Sequence, residues 1–279
     1  AKIIGTGREV EGERANGKRF PMDLAVSEVF MDDERMFIGI ICDITERKEV
    51  DRMKSEFIST VSHELRTPLT SIRGSLGLVT GGAVGEIPEK AQTMINMAEQ
   101  NTDRLINLVN DILDIEKMES GSLEFQFDVM DLLGLVREGT EANHGYAEQH
   151  AVEFVLTESD PDLMVRADRD RFNQVLANLL SNAAKFSPAG EKVEIAAIRQ
   201  NGAARVSVTD HGPGIPDEFH ENLFDRFTQV DSSDTRQVGG TGLGLNISRT
   251  IIEKHGGNIG LESNQEQGTV FYFDLPLLD

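Results

Sequence analysis

Arg169 to Phe186 reads RDRFNQVLANLLSNAAKF. Phe172, Val175, Leu176, Leu179, Leu180 and Ala183 recur at the spacing of a helix with one apolar face. Strand patterns lie on both sides of it. Upstream, residues 123–128, 151–157 and 163–167 are expected strands. Downstream, strands at 191–199 and 203–209 flank Asn201-Gly202, a strong hairpin signal. Another helix starts near Leu243, and strands at 258–263 and 269–275 follow. Residues 121–279 therefore read as one mixed α/β domain built around the first helix.

That helix also carries a polar stripe. Asn178, Asn182 and Lys185 stand at i, i+4 and i+7, offset from the apolar face. Amide oxygens can ligate a hard cation, and an ammonium can neutralise phosphate, so the stripe suits a magnesium-bound polyphosphate. It reads equally as a solvated face with two incidental asparagines.

Two glycine-bearing stretches lie further on. Asp210-His211-Gly212-Pro213-Gly214-Ile215 follows a strand directly. Gly212 and Gly214 allow the backbone to turn close to a ligand. The Asp210 carboxylate, aimed out of the strand, can accept from an exocyclic amino group. An ordinary Asp-Gly-Pro-Gly turn explains the same residues, and His211 reads as a turn residue. Gly239-Gly240-Thr241-Gly242-Leu243-Gly244-Leu245 then opens a helix, where free N–H groups can meet phosphate. This loop is neither a Walker loop nor a dinucleotide GxGxxG. The polar stretch before it, Asp231 to Val238, reads as a lid.

Residues 46 to about 119 read as two long helices. In the first, an apolar stripe from Val50 through Met53, Phe57, Val61, Leu65, Leu69, Ile72 and Leu76 to Val79 advances about 3.6 residues per step. Gly81 to Gly85 breaks it, and Pro88 opens the next helix. There Met94, Ala98, Asn101, Leu105, Leu108, Ile112 and Ile115 form a heptad seam with one polar position, Asn101. Two helices cannot bury both stripes, so a four-helix bundle of two copies is expected. Asn101 either pins the register or is an exposed break. Ser62 to Leu69 (SHELRTPL) lies within the first helix. His63 falls off the apolar stripe, beside Glu64 and one turn before Thr67. A solvent-facing imidazole beside a carboxylate can act as a nucleophile with its own base. Pro68 removes one backbone hydrogen bond just beyond it.

HELRTPL, NLLSNAAKFSP, DHGPGIP, the paired phenylalanines of LFDRF and GGTGLGL occur in that order over about 185 residues. Together they resemble the H, N, G1, F and G2 boxes of sensor histidine kinases, a likeness that covers residues 46 to 279. It implies a helical dimerisation and phosphotransfer domain at 46–120 and a Bergerat-type α/β sandwich that binds ATP at 121–279. His63 would take the γ-phosphoryl group, with Glu64 handling the proton on the other ring nitrogen. Asn178 and Asn182 would hold Mg²⁺, and Lys185 the phosphates. Phe186 and Ile215 would line the adenine pocket, with Asp210 on the adenine amino group. Gly240, Thr241, Gly242, Leu243, Gly244 and Leu245 would wrap the phosphates. Thr67 would orient water for dephosphorylating a response regulator receiver domain, the expected partner beside a second copy of the chain. Many relatives carry an arginine after the F box, where this sequence has Gln229; Arg236 is the candidate replacement. Two rivals stay open at this stage: an ATP-driven conformational machine on the same fold, which His63 argues against, and a non-catalytic dimeric scaffold, which the nucleotide boxes argue against.

The chain has 279 residues with 27 basic against 48 acidic side chains, a net charge of -21. No Lys/Arg run provides the basic face that nucleic acid or an anionic membrane surface requires. No apolar run approaches the roughly 18 residues of a membrane span. The single cysteine, Cys42, excludes an internal disulfide. With no signal-like segment at Ala1, the chain reads as a cytoplasmic fragment. Residues 1–45 carry strand signals, at Arg19 to Val29 and Met36 to Ile44, with a turn at Asn16-Gly17. Ending in Asp43-Ile44-Thr45-Glu46-Arg47-Lys48, they resemble the last strands of a PAS sensor domain and its exit linker.

Overall fold

The computed structural model describes residues 7–31, 34–85, 87–229, 241–264 and 268–278. The chain divides into two compact units, Ala1–Asn96 and Met97–Asp279.

The first unit opens with an antiparallel sheet of β1 (Arg8–Glu13), β2 (Arg19–Met31) and β3 (Glu34–Asp43), in that order. β1 carries none of the sequence signals expected above; pairing with β2 over Arg8↔Leu24 to Glu13↔Arg19 makes it a strand. Cys42 lies exposed in β3. The sheet passes straight into α1 (Thr45–Thr80) through buried Ile44, whose N–H donates to the Pro21 carbonyl at 3.1 Å. Oδ1 of Asp43 accepts from the N–H of Thr45 at 3.0 Å and from its hydroxyl at 2.6 Å. Arg14 pairs with the same carboxylate. The hydrogen bonds from Thr45 and the Arg14 charge hold the Asp43 pKa below the ordinary carboxylate value. α1 runs unbroken through Pro68. It ends at Gly81 and Gly82, and α2 (Glu89–Glu119) begins one residue after Pro88, as the sequence predicts.

α2 starts in the first unit and ends in the second. In the second unit its seam has two fates. Leu105 is exposed, whereas Leu108, Ile112, Ile115 and Met118 pack against the core of the α/β domain. The heptad therefore does not face one partner along its whole length. Asn101 is exposed and its amide bonds back to the Met97 carbonyl at 2.8 Å.

The rest of the second unit is a two-layer α/β sandwich. β5 (Glu153–Ser159), β7 (Lys192–Gln200), β8 (Ala203–Asp210), β10 (Gly268–Pro276) and β9 (Asn258–Asn264) form one sheet in that order. Only the β5–β7 pair is parallel. β4 (Asp128–Asp131) and β6 (Met164–Ala167) pair separately. The helices are α3 (Leu132–Ala142), α4 (His144–His150), α5 (Arg169–Phe186), α6 (Asp217–His220) and α7 (Gly244–Lys254). Strands β7 and β8 alternate between buried and half-buried residues, so Val193, Ile195, Val206 and Val208 face the helix layer. Phe172 of α5 meets Phe273 of β10 edge to face, centroids 5.6 Å apart, and joins the two layers.

One sequence expectation, the strand at 123–128, needs correction. Residues 123–127 are not strand; β4 starts at Asp128. The N–H of Gln126 is taken by the Asp168 carboxylate at 2.7 Å rather than by a neighbouring strand. Phe125 and Phe127 stack on each other and set their rings edge-on to His255. Their alternation is that of a docked linker. The helices α3 and α4 were also not anticipated. α3 has its own signals, an Asp131 cap accepting from Leu133 and Gly134 N–H groups and a buried face of Leu132, Leu135 and Val136.

Candidate functional site

His63 lies on α1, in the first unit. It is exposed, as are Glu64 and Thr67. The Thr67 hydroxyl donates to the His63 carbonyl at 3.3 Å, one helical turn back. Pro68 cannot donate to the Glu64 carbonyl, so the backbone just past His63 has one hydrogen bond fewer than a regular helix.

The other residues gather in the second unit, around α5. Asp168 caps this helix, accepting from the Arg171 N–H at 3.1 Å, and Ser187 ends it. Asn178, Asn182 and Lys185 are all half-buried on it. Burial holds the Lys185 pKa below that of an ordinary lysine, and the positive charge of Arg104 on α2 lowers it further. The Lys185 ammonium sits 4.9 Å from the Phe186 ring centroid.

The two glycine-bearing loops meet α5 at different points. Gly244, the first residue of α7, packs on Asn178: a Cβ at this position would lie 2.3 Å from Oδ1 of the asparagine. Nδ2 of Asn178 donates to Oγ of buried Ser248 at 3.0 Å. Gly242 has φ +70° and its carbonyl accepts from Phe227 N–H at 2.9 Å, so a side chain there would be strained and would strike Phe227 backbone. Nδ2 of Asn246 donates to the Phe224 carbonyl at 2.9 Å. The two phenylalanines of the LFDRF stretch are thereby tied to the loop, through Phe227, and to the first turn of α7, through Phe224. Leu243 is fully buried and Leu245 packs against the core. The Thr241 hydroxyl donates to Oδ2 of Asp111 on α2 at 2.9 Å and accepts from the Leu243 N–H at 3.2 Å. Gly240 and Arg236 lie outside the described residues, as does the expected lid at Asp231 to Val238.

At the far end of α5, the loop after β8 abuts Phe186. A Cβ on Gly212 would come 2.8 Å from the Phe186 carbonyl oxygen. Asp210 is buried, and its Oδ1 accepts from Gly212 N–H at 2.9 Å and Thr269 N–H at 3.2 Å. Burial raises its pKa against the opposing effect of these donors. Gly214 takes φ +72°. Ile215 is clamped on both backbone groups: its N–H donates to Ser263 Oγ at 2.8 Å and its carbonyl accepts from His220 Nε2 at 2.9 Å.

Among the participants not singled out from sequence are Asp111, Ser248, Ser263 and Thr269. Thr269 sits directly opposite Asp210 in the β8–β10 register, and Ser248 stands one turn after Gly244. Either spacing could have been read once the strand pairing and the helix start were known.

Chemically, one ring nitrogen is exposed on α1. In the other unit, two amides, one ammonium, a glycine loop opening a helix and a buried carboxylate converge on a single helix. The two amide oxygens fit a hard cation that takes its remaining ligands from phosphate and water. Among the described residues no group of three or more His, Cys, Asp or Glu side chains could hold a metal ion. No described helix is long and apolar enough to cross a membrane.

A family model described as His Kinase A (phospho-acceptor) domain matches residues 53–121. A second, described as Histidine kinase-, DNA gyrase B-, and HSP90-like ATPase, matches residues 167–279. The chain is 39% identical over 241 residues to the sensor histidine kinase WalK of Bacillus subtilis (strain 168), covering 86% of this chain and 39% of that protein. It is 35% identical over 249 residues to the sensor protein kinase WalK of Staphylococcus saprophyticus, again 39% of that protein. The chain thus spans less than half the length of each of these two relatives. Among solved structures, full-length ShkA in complex with AMPPNP aligns with TM-score 0.63 and 31% identity over 80% of this chain and 46% of that one. The histidine kinase ThkA in complex with the response regulator protein TrrA aligns with TM-score 0.57 and 30% identity over 98% of this chain and 79% of that one.

Proposed function

The chain belongs to the sensor histidine kinases of two-component systems, and on that premise we propose that it is an ATP-dependent protein-histidine kinase whose acceptor is its own His63. The observation that carries this reading is the packing of Gly244 on Asn178 at one point of α5 and of Gly212 on Phe186 at its end. The two glycine-bearing loops thus pack on one helix eight residues apart, about 12 Å along its axis, which supports one loop meeting phosphate and the other the base.

In this reading a nitrogen of the neutral His63 ring attacks the γ-phosphorus of ATP. The N–P bond forms as the bond to the β,γ-bridging oxygen breaks, and ADP leaves with the electron pair. Glu64 receives or holds the proton of the other ring nitrogen. Asp210 accepts from the adenine amino group through its carboxylate, and Ile215 and Phe186 flank the base. N–H groups of the Thr241–Leu245 loop and the Lys185 ammonium bind the phosphates. Asn178 and Asn182 would hold Mg²⁺, which when bound would neutralise polyphosphate charge. Such a reaction depends on positioning and charge neutralisation rather than on covalent help from the protein.

The wider assignment follows the same lines. Residues 1–45 form the end of a PAS sensor domain and its exit linker, 46–120 the dimerisation and phosphotransfer domain, and 121–279 the ATP-binding domain. Val50, Met53, Phe57 and Leu65 are exposed in the single chain, which supports a four-helix bundle with a second copy. The phosphoryl group passes from His63 to an aspartate of a receiver domain. Thr67 orients water for hydrolysis of that aspartyl phosphate, which frees the carboxylate and releases inorganic phosphate and requires the Thr67 hydroxyl to leave the His63 carbonyl. The site of action is the cytoplasm.

Incubation with γ-labelled ATP tests the proposal. The chain should acquire label that is lost in acid and stable in base, as a phosphoramidate is. Label that survives acid, or none at all, would overturn it.

A further inference from the structure

We infer that Ser248 is a positioning residue that holds the Asn178 amide by its amino end and so keeps the carbonyl oxygen for a bound cation. The inference rests on the reading of Asn178 as a metal ligand and deepens it.

An amide side chain has a donor end and an acceptor end of nearly equal shape. Only the acceptor end can ligate a cation. Helix α5 delivers Asn178 to the site but does not choose between the two ends. α7 does, through residues one turn apart on one face. Ser248 is 1% exposed, and its Oγ lies 3.0 Å from Nδ2 of Asn178. Gly244 provides the complementary feature: bare Cα where a Cβ would lie 2.3 Å from Oδ1. The amino end is bound and the carbonyl end is given room beside the first turn of α7. The glycine loop that would meet phosphate runs straight into that turn. A cation shared between phosphate and Asn178 would sit where both are presented.

The pair also matters to Ser248 itself. A hydroxyl at this depth needs a partner, and among the described residues Asn178 provides it. A purely structural serine would contribute the same hydrogen bond to folding, so the test must separate metal coupling from stability.

The experiment is calorimetric titration of the full chain with an ATP analogue that cannot be hydrolysed, in Mg²⁺ and again in chelator. The ratio of the two dissociation constants reports how much the metal tightens binding. Ser248→Ala and Ser248→Cys should each reduce that ratio about three- to ten-fold, the value of one hydrogen bond. Metal-free affinity should stay within about two-fold of the parent. The cysteine keeps the volume with a much weaker acceptor, so a packing defect in the alanine variant cannot imitate the result. Ser248→Thr, which keeps the hydroxyl, should restore the ratio. Asn178→Ala with Ser248→Ala should be no worse than Asn178→Ala alone. Unchanged ratios in the alanine and cysteine variants, or equal losses with and without metal, would overturn the role of Ser248. If Asn178→Ala itself left the ratio unchanged while nucleotide still bound, the metal reading beneath the inference would fail instead.

Discussion

The Thr241 hydroxyl donates to Oδ2 of Asp111 at 2.9 Å, joining the glycine loop to a helix 130 residues earlier in the chain. Other polar contacts also tie the end of α2 to the α/β domain. Arg171 and Gln174 reach Asp114, and Arg226 pairs with Glu119. Asp111 is half-buried, and that burial raises its pKa against the bond from Thr241. A carboxylate is thus held beside the loop proposed to bind phosphate. Asp111→Asn keeps an acceptor for Thr241 while removing the charge. It should tighten ATP binding about two- to five-fold, the size of a partly screened charge interaction. ATP should gain more than adenosine does. Equal changes for the two ligands in calorimetry would show that the charge does not reach the phosphates.

His63 and the nucleotide cluster belong to different units of the chain. His63→Gln should therefore abolish labelling by γ-labelled ATP and leave the nucleotide dissociation constant within about two-fold, as expected when the acceptor and the nucleotide residues belong to different units. Label retained on the variant would place the acceptor elsewhere.

Asp210 and Asn182 are proposed to act on opposite ends of the nucleotide. Asp210→Ala should weaken ATP and ADP alike by roughly ten-fold or more, the usual cost of losing a charge-assisted hydrogen bond, whether or not Mg²⁺ is present. Asn182→Ala should weaken binding mainly in Mg²⁺. The same metal dependence in both variants would contradict the division.

The Thr67 hydroxyl bonds to the His63 carbonyl and leaves the ring alone. Thr67→Ala should spare autophosphorylation and slow phosphate removal from a purified partner regulator. A regulator that loses phosphate at the parental rate would remove Thr67 from the mechanism.

His255 supports the second unit from beneath the site. Its Nδ1–H donates to the Ile251 carbonyl at 2.8 Å, and its Nε2 accepts from the Asp168 N–H at 3.0 Å. This pattern needs the neutral ring. Burial holds the folded pKa below the ordinary value of 6.5. The stabilisation is therefore present above pH 6.5 and is lost as pH falls through the lower folded pKa. Thermal unfolding followed from pH 8 to about pH 5 should show a midpoint that drops more steeply for the parent than for His255→Gln, which cannot titrate. Parallel curves would show that the ring is not a source of acid sensitivity.

Periodicity and residue type carried the reading of this chain a long way. The bounds of α5, the hairpin at Asn201-Gly202 and the turn that ends α1 are local features, decided by neighbouring residues in the sequence. The positions proposed to carry the chemistry were picked out for the same reason, since Asn178, Asp210 and the glycine loop stand out by type and spacing. What covers an apolar stripe was not legible. The seam of α2 is regular from Met94 to Ile115, yet Leu108, Ile112 and Ile115 lie on the α/β core while Leu105 stays exposed. A heptad marks a face and leaves its partner open. Phe125 and Phe127 alternate like a strand, but a carboxylate at Asp168 and the ring of His255 claim their segment. The supporting residues of the site were hidden too. Ser248 meets Asn178 across 70 positions, Thr269 meets Asp210 across 59, and Asp111 meets Thr241 across 130. A serine, a threonine and an aspartate have many ordinary uses, and nothing in their immediate neighbours selects this one. Only the folded chain brings each to its partner, because hydrogen bonds act over about 3 Å of space, whatever the separation along the sequence.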